Sequence, residues 1–416
     1  MYHQKNLQNN HVFHLLILLC CVFWISLFLY LKAKYGFWIQ QPVFHIYNLN
    51  YYFFPPGVID ATLPEKNKFT NFLEIETVVA TEFSTLQWQS VLHLIRRNYL
   101  QKPETQNHFS PQQEQVAPYF DGHNAKCFLS VFTKPENLFL VTQQEIVARA
   151  LVAGFITSRP ITVFFYESNA ASSSKLDAYY VDYLCVDKRF RNQGLAPQLI
   201  QTHHYRQRHA NKKRLVTLFK REQELTGIVP LCVYSTFGFS VKTWRKPLNA
   251  ALFESKLLTL VNITVQNFYY AYDFIRTTAS KEFDLFLQSD CGNLLQLIQS
   301  QNIFMDMLLE NQEIKAVYFY RKTCVFVETD LHVLSCFGSI NQTEDATFID
   351  AFKTSFWNVC EKHRFGFAAI ENISHNYLLI ENLKEKTPAS MESPTAYFFY
   401  NFAYPTCAAR RVLVLN

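Results

Sequence analysis

Hydropathy along the chain is uneven from the start. Val12–Leu31, "VFHLLILLCCVFWISLFLYL", carries no formal charge when His14 is neutral. A helix rises 1.5 Å per residue, so this run reaches about 30 Å, the thickness of a bilayer core. It is too long for the apolar part of a cleaved signal, and no small-x-small site follows it. The pattern predicts a short tail over 1–11 and a transmembrane helix over 12–31. Lys32 and Lys34 beyond the run, against Lys5 before it, predict a single-pass membrane protein whose remaining chain faces the cytosol.

From Phe69 onward the patterns alternate. "LQWQSVLHLIRRNYL" (86–100) has the spacing of an amphipathic helix, and "IVARALVAGFITSRPITVFFY" (146–166) reads as one or two strands. The Ser/Ala/Asn stretch 168–173 looks like a hairpin connection to a strand ending near Val186. "LLQLIQSQNIFMDMLLE" (294–310) and "TFIDAFKTSFWNVCEKH" (347–363) read as helical, whereas 315–337 and the final run from Ala396 read as extended. Two rounds of alternating elements predict an α/β or α+β double unit with a mixed sheet.

Composition narrows the class. A chain of 416 residues is too long for one ordinary core. With 49% hydrophobic and 18% charged residues, it is globular and not disordered. The net charge of +5 suits an anionic ligand or a membrane surface but does not argue for nucleic acid. Ten cysteines are scattered without any C-x-x-C, which reads as reduced core thiols. No paired ligand spacing predicts a metal. His203 and His204 fall on a polar, basic helix and read as a solvated face, as do the cations Lys212, Lys213, Arg214, Lys220 and Arg221.

The most informative stretch is Tyr179–Ile200, "YYVDYLCVDKRFRNQGLAPQLI". An apolar strand to Val186 leads into Lys188, Arg189 and Arg191, then Gly194, then a helix opening at Leu195 with Pro197 in its first turn. A helix start presents unpaired N–H groups and a partial positive charge. A glycine there lets a pyrophosphate approach the backbone. The residues alone leave open a plain helix-entry glycine among solvated cations.

Arg-x-x-Gly-x-Ala at 191–196 resembles the coenzyme A motif of GNAT acyltransferases. The wider stretch resembles the signature of N-myristoyltransferases (glycylpeptide N-tetradecanoyltransferases) through Leu184-Cys185-Val186, Lys188, Arg191, Leu195-Ala196-Pro197 and Leu199-Ile200. Further likenesses follow in the family's order: "YGFWIQQPV" (35–43), "LIRRNYLQK" (94–102), loosely "FAAIENI" (367–373), and the closing "AYFFYNFAYPTCAARRVLVLN". The resemblance spans about 34–416, in patches.

It implies two GNAT-like halves, 34–245 for acyl-CoA and 246–416 for peptide, and an enzyme that moves myristate from myristoyl-CoA to an N-terminal glycine amine. Myristoyl-CoA would be a co-substrate, with no permanent cofactor, and the protein is expected as a monomer. The implied oxyanion donors are the backbone N–H groups of Tyr183 and Leu184. The implied base is the terminal carboxylate of Asn416, which the apolar "VLVL" before it would carry into a desolvated setting. Lys188, Arg189, Arg191 and the run Asn192, Gln193, Gly194, Leu195, Ala196, with Val186, would hold the coenzyme. Tyr35, Phe37, Trp38, Asn98, Tyr99 and Leu100 would line the acyl-CoA channel, although plain core packing explains the aromatics as well.

Three positions depart from the family. Asp182 stands where an Asn precedes the oxyanion pair, and so is either a second acceptor for the amine or a mark of altered chemistry. Leu100-Gln101-Lys102 replaces an acidic loop. "LTGIVP" (225–230) is only loosely similar to a peptide-contact segment, which makes Thr226 the peptide-contact candidate. A non-catalytic scaffold that binds acyl-CoA or a lipopeptide, and a GNAT enzyme for another acyl group or a lysine amine, remain the alternatives.

Overall fold

The structure is a computed structural model. It describes the chain apart from residues 1, 100–107, 141–144, 167–173, 223–226, 245–256 and 328–330, and apart from the side chains of 2–13, 31–35, 137–140, 145–149 and 243. Residues 1–43 and 44–416 are two separate compact units.

In the first unit a single helix runs over Tyr2–Tyr35, followed by a 3-10 turn, Trp38–Gln40. Over 14–30 every side chain is exposed except the half-buried Leu27. Among the described residues no helix is long and apolar enough to cross a membrane. Side chains of Val12, Phe13 and Leu31 lie outside those residues. The transmembrane helix expected over 12–31 is therefore not found among the described residues. What stands in its place is a continuous helix with an exposed apolar surface.

The second unit is built on strands β1 (Gly57–Val58), β2 (Ile75–Val79), β3 (His108–Phe109), β4 (Phe128–Leu140), β5 (Glu145–Phe165), β6 (Ser174–Val186), β7 (Val216–Glu222), β8 (Cys232–Ser240) and β9 (Leu258–Asn262). It continues through β10 (Leu285–Gln288), β11 (Ile303–Glu310), β12 (Glu313–Val327), β13 (Leu331–Asn341), β14 (Phe365–Glu371), β15 (Met391–Tyr400), β16 (Phe402–Ala403) and β17 (Val412–Leu415). Among the described residues β1 and β16 pair alone, and the others form one mixed sheet. Its main path is β17-β10-β5-β6-β7-β15-β8-β14-β13-β12-β11-β9.

One order of elements occurs twice. An antiparallel run β4-β5-β6 is followed by helix Leu195–Ala210 and then β7, parallel to β6. The run β11-β12-β13 is likewise followed by helix Asp345–His363 and then β14, parallel to β13. The two rounds exchange a strand: β15 lies between β7 and β8, while β8 pairs with β14. Long-range exchange of this kind makes one continuous ladder out of two repeats.

Local chemistry sets some of the element ends. Ser84 and Gln87 form a reciprocal capping box at the start of helix Thr85–Asn98. The segment expected to be helical over 294–310 is instead helix Cys291–Gln299 followed by β11. Gln301 at φ 56° ends the helix, and β11 is buried between β9 and β12. A short apolar run buried on both faces has no periodicity that separates strand from helix. Arg214 and Lys220 are not solvated, contrary to expectation. The Arg214 guanidinium donates to the carbonyls of Ile161 and Ala178, and Lys220 pairs with Glu371.

The loop before β4 is pinned to helix Cys291–Gln299. Asp290 accepts from Asn124 N–H at 3.0 Å and pairs with His123 at 3.2 Å, and the Asn293 amide donates to the carbonyls of Pro118 and Asp121. Backbones touch there: a Cβ on Gly292 would lie 2.4 Å from the Gly122 carbonyl oxygen. Replacing Gly292→Ala should therefore cost about 1–3 kcal/mol, read as a lower urea midpoint with an unchanged slope.

Candidate functional site

The site begins where two parallel strands part. β6 and β7 pair only over Ala178–Val181 and Val216–Phe219. Beyond that point Lys220–Glu222 of β7 pairs with β15, and β6 pairs with β5 alone. Within the separated part the β5/β6 register slips: Phe155 faces Cys185 and Thr157 faces Asp182, so Tyr183 and Leu184 together oppose Ile156. Tyr183 sits at φ 49°. A bulge next to a strand separation leaves backbone N–H groups without a ladder partner on the open edge, as oxyanion donors require.

At the C-terminal end of β6 the chain forms the expected turn. Asp187 caps the 3-10 turn Lys188–Phe190. Asn192 (φ 62°) and Gly194 (φ 79°) are both left-handed, and Gly194 is the N-cap of helix Leu195–Ala210. A Cβ added at Gly194 would meet nothing within 4 Å. Backbone conformation thus calls for the glycine, and open space lies before the helix start, where an anion meets unpaired N–H groups.

The cations around this turn divide by role. Arg189 pairs with Asp187 at 3.1 Å and Glu136 at 2.8 Å. Arg191 donates to the carbonyls of Val186 (3.2 Å) and Asn98 (2.7 Å). Asn98 is buried; its side-chain oxygen accepts the Lys188 N–H at 2.9 Å, and its amide donates to the Leu94 carbonyl. Asn98 and Arg191 therefore fasten the turn to the end of helix Thr85–Asn98. The exposed Lys188 ammonium has no hydrogen-bond or ion-pair partner among the described residues. The Gln193 side chain donates to the Arg189 carbonyl. Val186 and Leu195 are core residues packed with Leu199, and Ala196 lies against them. Tyr99 packs on Tyr183 with ring centroids 5.6 Å apart.

A second cluster forms around the chain end. β17 lies parallel to β10 and aligns Leu415 with Gln288. Asn416 is 1% exposed. Arg321 Nη2 donates to the Asn416 main-chain oxygen at 2.5 Å and to its Oδ1 at 2.9 Å. Burial works against the Arg321 charge, but Tyr119, Glu371, Tyr397 and Tyr180 outweigh it and hold the guanidinium charged. Ser289 donates its N–H to the Leu415 carbonyl, and its hydroxyl accepts from Arg159 at 2.8 Å. The 2% exposed Arg159 in turn pairs with Asp182 at 3.0 Å. Tyr119 feels Arg321, Arg159 and Asp182 together, and burial raises its phenol. The chain end and Asp182, next to the Tyr183–Leu184 bulge, thus belong to one polar cluster. Within it Asp182 is the partner of a buried arginine.

Beside the cluster, on β7, β8 and β14, Lys220 Nζ donates to both Glu371 oxygens at 3.1 Å, and the Tyr234 hydroxyl donates to the same carboxylate. Sequence reasoning assigned no site role to Tyr119, Arg159, Lys220, Arg321 or Glu371. The signal was a charged residue inside an otherwise apolar strand, as in "AVYFYRKTCVFV" around Arg321.

Other expected residues fall elsewhere. Phe37 and Trp38 pack edge to face at 5.2 Å in the first unit. Leu100, Thr226 and the Tyr35 side chain lie outside the described residues. Among the described residues no group of His, Cys, Asp and Glu could hold a metal. A cavity of about 460 Å³ lined by Thr77, Phe128, Tyr205 and His209 lies on helix Leu195–Ala210 and β2, away from both clusters. His203 is not on a solvated face: it is 2% exposed, with its ring nitrogens 2.8 Å from the hydroxyls of Ser130 and Ser158.

No protein-family model matches the sequence, and no curated protein does. Among solved structures the fold is similar to that of Saccharomyces cerevisiae N-myristoyltransferase with bound myristoyl-CoA, at TM-score 0.68 and 12% identity over 90% of this chain and 94% of that one. A second structure of the yeast enzyme with bound myristoyl-CoA gives TM-score 0.65 and 13% identity, covering 91% of this chain and 90% of that one. The likeness shows the fold.

His203 yields a pH prediction. Burial lowers its pKa to about 3, against about 6.5 in the unfolded chain. The unfolded state binds a proton that the folded state refuses, so this contribution to stability is complete above about pH 6.5 and is lost toward pH 3. In His203→Gln, the fall in stability between those values should be shallower by up to one proton per molecule, measured by urea unfolding across pH.

Proposed function

We propose that this protein transfers myristate from myristoyl-CoA to the N-terminal glycine amine of a protein. The observation that carries the reading is the burial of Asn416 in one cluster with Asp182, next to the Tyr183–Leu184 bulge, within a fold like that of N-myristoyltransferase. The phosphates of the coenzyme lie at the helix start behind Gly194, met by Lys188 and the N–H groups of 192–196. From Lys188 back to Leu184 is about 13 Å of strand, a span the pantetheine arm follows through the gap between β6 and β7. The N–H groups of Tyr183 and Leu184 take the thioester oxygen as it becomes an oxyanion. The Asn416 carboxylate takes the proton from the attacking amine, and the thiolate of coenzyme A leaves.

Asp182 holds Arg159 beside the bulge. The 34–245 half binds the acyl-CoA, with Tyr99 and Leu100 lining its channel, and the 246–416 half binds the peptide, with Thr226 as a further peptide contact. About 0.8 kcal/mol per buried CH₂ makes an apolar channel sufficient to hold a 14-carbon chain. The N-terminal helix over 12–31 anchors the enzyme to a membrane with the catalytic part cytosolic. Exposed apolar side chains over 14–30 and the lysines that follow support this.

The full chain in detergent, given labelled myristoyl-CoA and Gly-initiated peptides, should transfer label to the terminal amine. Binding without transfer would favour a scaffold, and label on lysine another acceptor class. Two residues added after Asn416 should reduce turnover at least a hundredfold while coenzyme affinity holds; an unchanged rate would remove the carboxylate from the mechanism. Gly194→Val should weaken myristoyl-CoA about tenfold, or roughly 1.4 kcal/mol. Gly194→Asn, which tolerates a left-handed backbone, should lose much less. Equal affinity for both variants and the parent would exclude the helix start as the phosphate site.

A further inference from the structure

We propose that Arg321 is the positioning residue for the reaction, a guanidinium that fixes the chain-end oxygen in its working position. The inference rests on the reading of Asn416 as the base. Arg321 lies on β12, ninety-five residues from Asn416, and one nitrogen, Nη2, reaches both its main-chain oxygen (2.5 Å) and its Oδ1 (2.9 Å). The guanidinium carbon stands 4.4 Å from the centre of the Phe337 ring, so the planar group is held on its face. β17 restrains Asn416 only through the β10 ladder behind it. The Arg321 fork restrains the last residue itself.

The clamp is not a closed structural network. Arg321 Nε and Asn416 Nδ2 are buried and have no hydrogen-bond partner. Buried polar groups in a purely structural cluster are satisfied. Charge also matters. Tyr119, Glu371, Tyr397 and Tyr180 act on the charge of the guanidinium, so removing that charge alters the field at the chain end as well as its geometry.

The experiment compares Arg321→Met and Arg321→Lys in the full chain, each with its native end and with two residues added after Asn416. Arg321→Met should lower kcat ten- to a hundredfold, with the myristoyl-CoA dissociation constant within twofold, measured at a temperature where the variant is still folded, because an unpaired chain end lowers its unfolding midpoint. Arg321→Lys should recover most of kcat, because an ammonium can still hold one oxygen. In the extended chain, read in single turnover, Arg321→Met should cost nothing further. The proposal is overturned if Arg321→Met keeps full kcat, if lysine restores nothing, or if the Arg321→Met loss persists undiminished in the extended chain. An extension harmless on its own would instead overturn the base, and the two failures are separable.

Discussion

The structure depends on the parting of β6 from β7 after Val181. Two parallel strands that share four residue pairs and then diverge cannot both keep their ladders. β7 keeps β15 on its other edge through Glu222, and β6 keeps β5 but slips register at Tyr183–Leu184. The separation opens one strand edge, along which Asp182 and Tyr183 are half-buried and Leu184 is exposed. An unpaired edge costs free energy where it is buried, unless a ligand or side chains satisfy it. The bulge, the turn behind Gly194 and the buried ion pairs are all arranged around that edge.

Buried charge is the second organising element. Arg159 with Asp182, Lys220 with Glu371, and Arg321 with the chain end gather around Tyr119, Tyr180 and Tyr397. Each pair joins strands distant in sequence. Replacing a pair by apolar residues is often neutral for stability, whereas breaking one strands a charge. These pairs accordingly fix geometry more than they add stability. The exchange of β15 between β7 and β8 brings the second repeat against the first, and Tyr397 on β15 comes with it.

Some assignments changed when the chain folded. Arg189 and Arg191 have the residue type for phosphate contacts, but one is paired with two carboxylates and the other holds two backbone carbonyls. Lys188 is left as the exposed cation at the turn. His203 has a polar, basic helical context and still turns inward, because Ser130 and Ser158 offer one hydroxyl to each ring nitrogen. The run after Gln301 became a strand, since β9 and β12 leave room for one between them.

What the sequence determined by itself is what contiguous residues settle. The strand to Val186, the helix-entry glycine at 194 and the helix from Leu195 were legible because backbone sterics and capping act within a few residues. The alternation that predicted a mixed α/β double unit was legible for the same reason. Tertiary structure alone decided which charges are buried, where Asn416 ends up, and that Arg321 meets it. A lone arginine in an apolar strand looks the same whether it faces water or a carboxylate. Only the tertiary fold, which brings β12 from near one end of the sheet path to the end of β17 at the other, sets the partner within 3 Å.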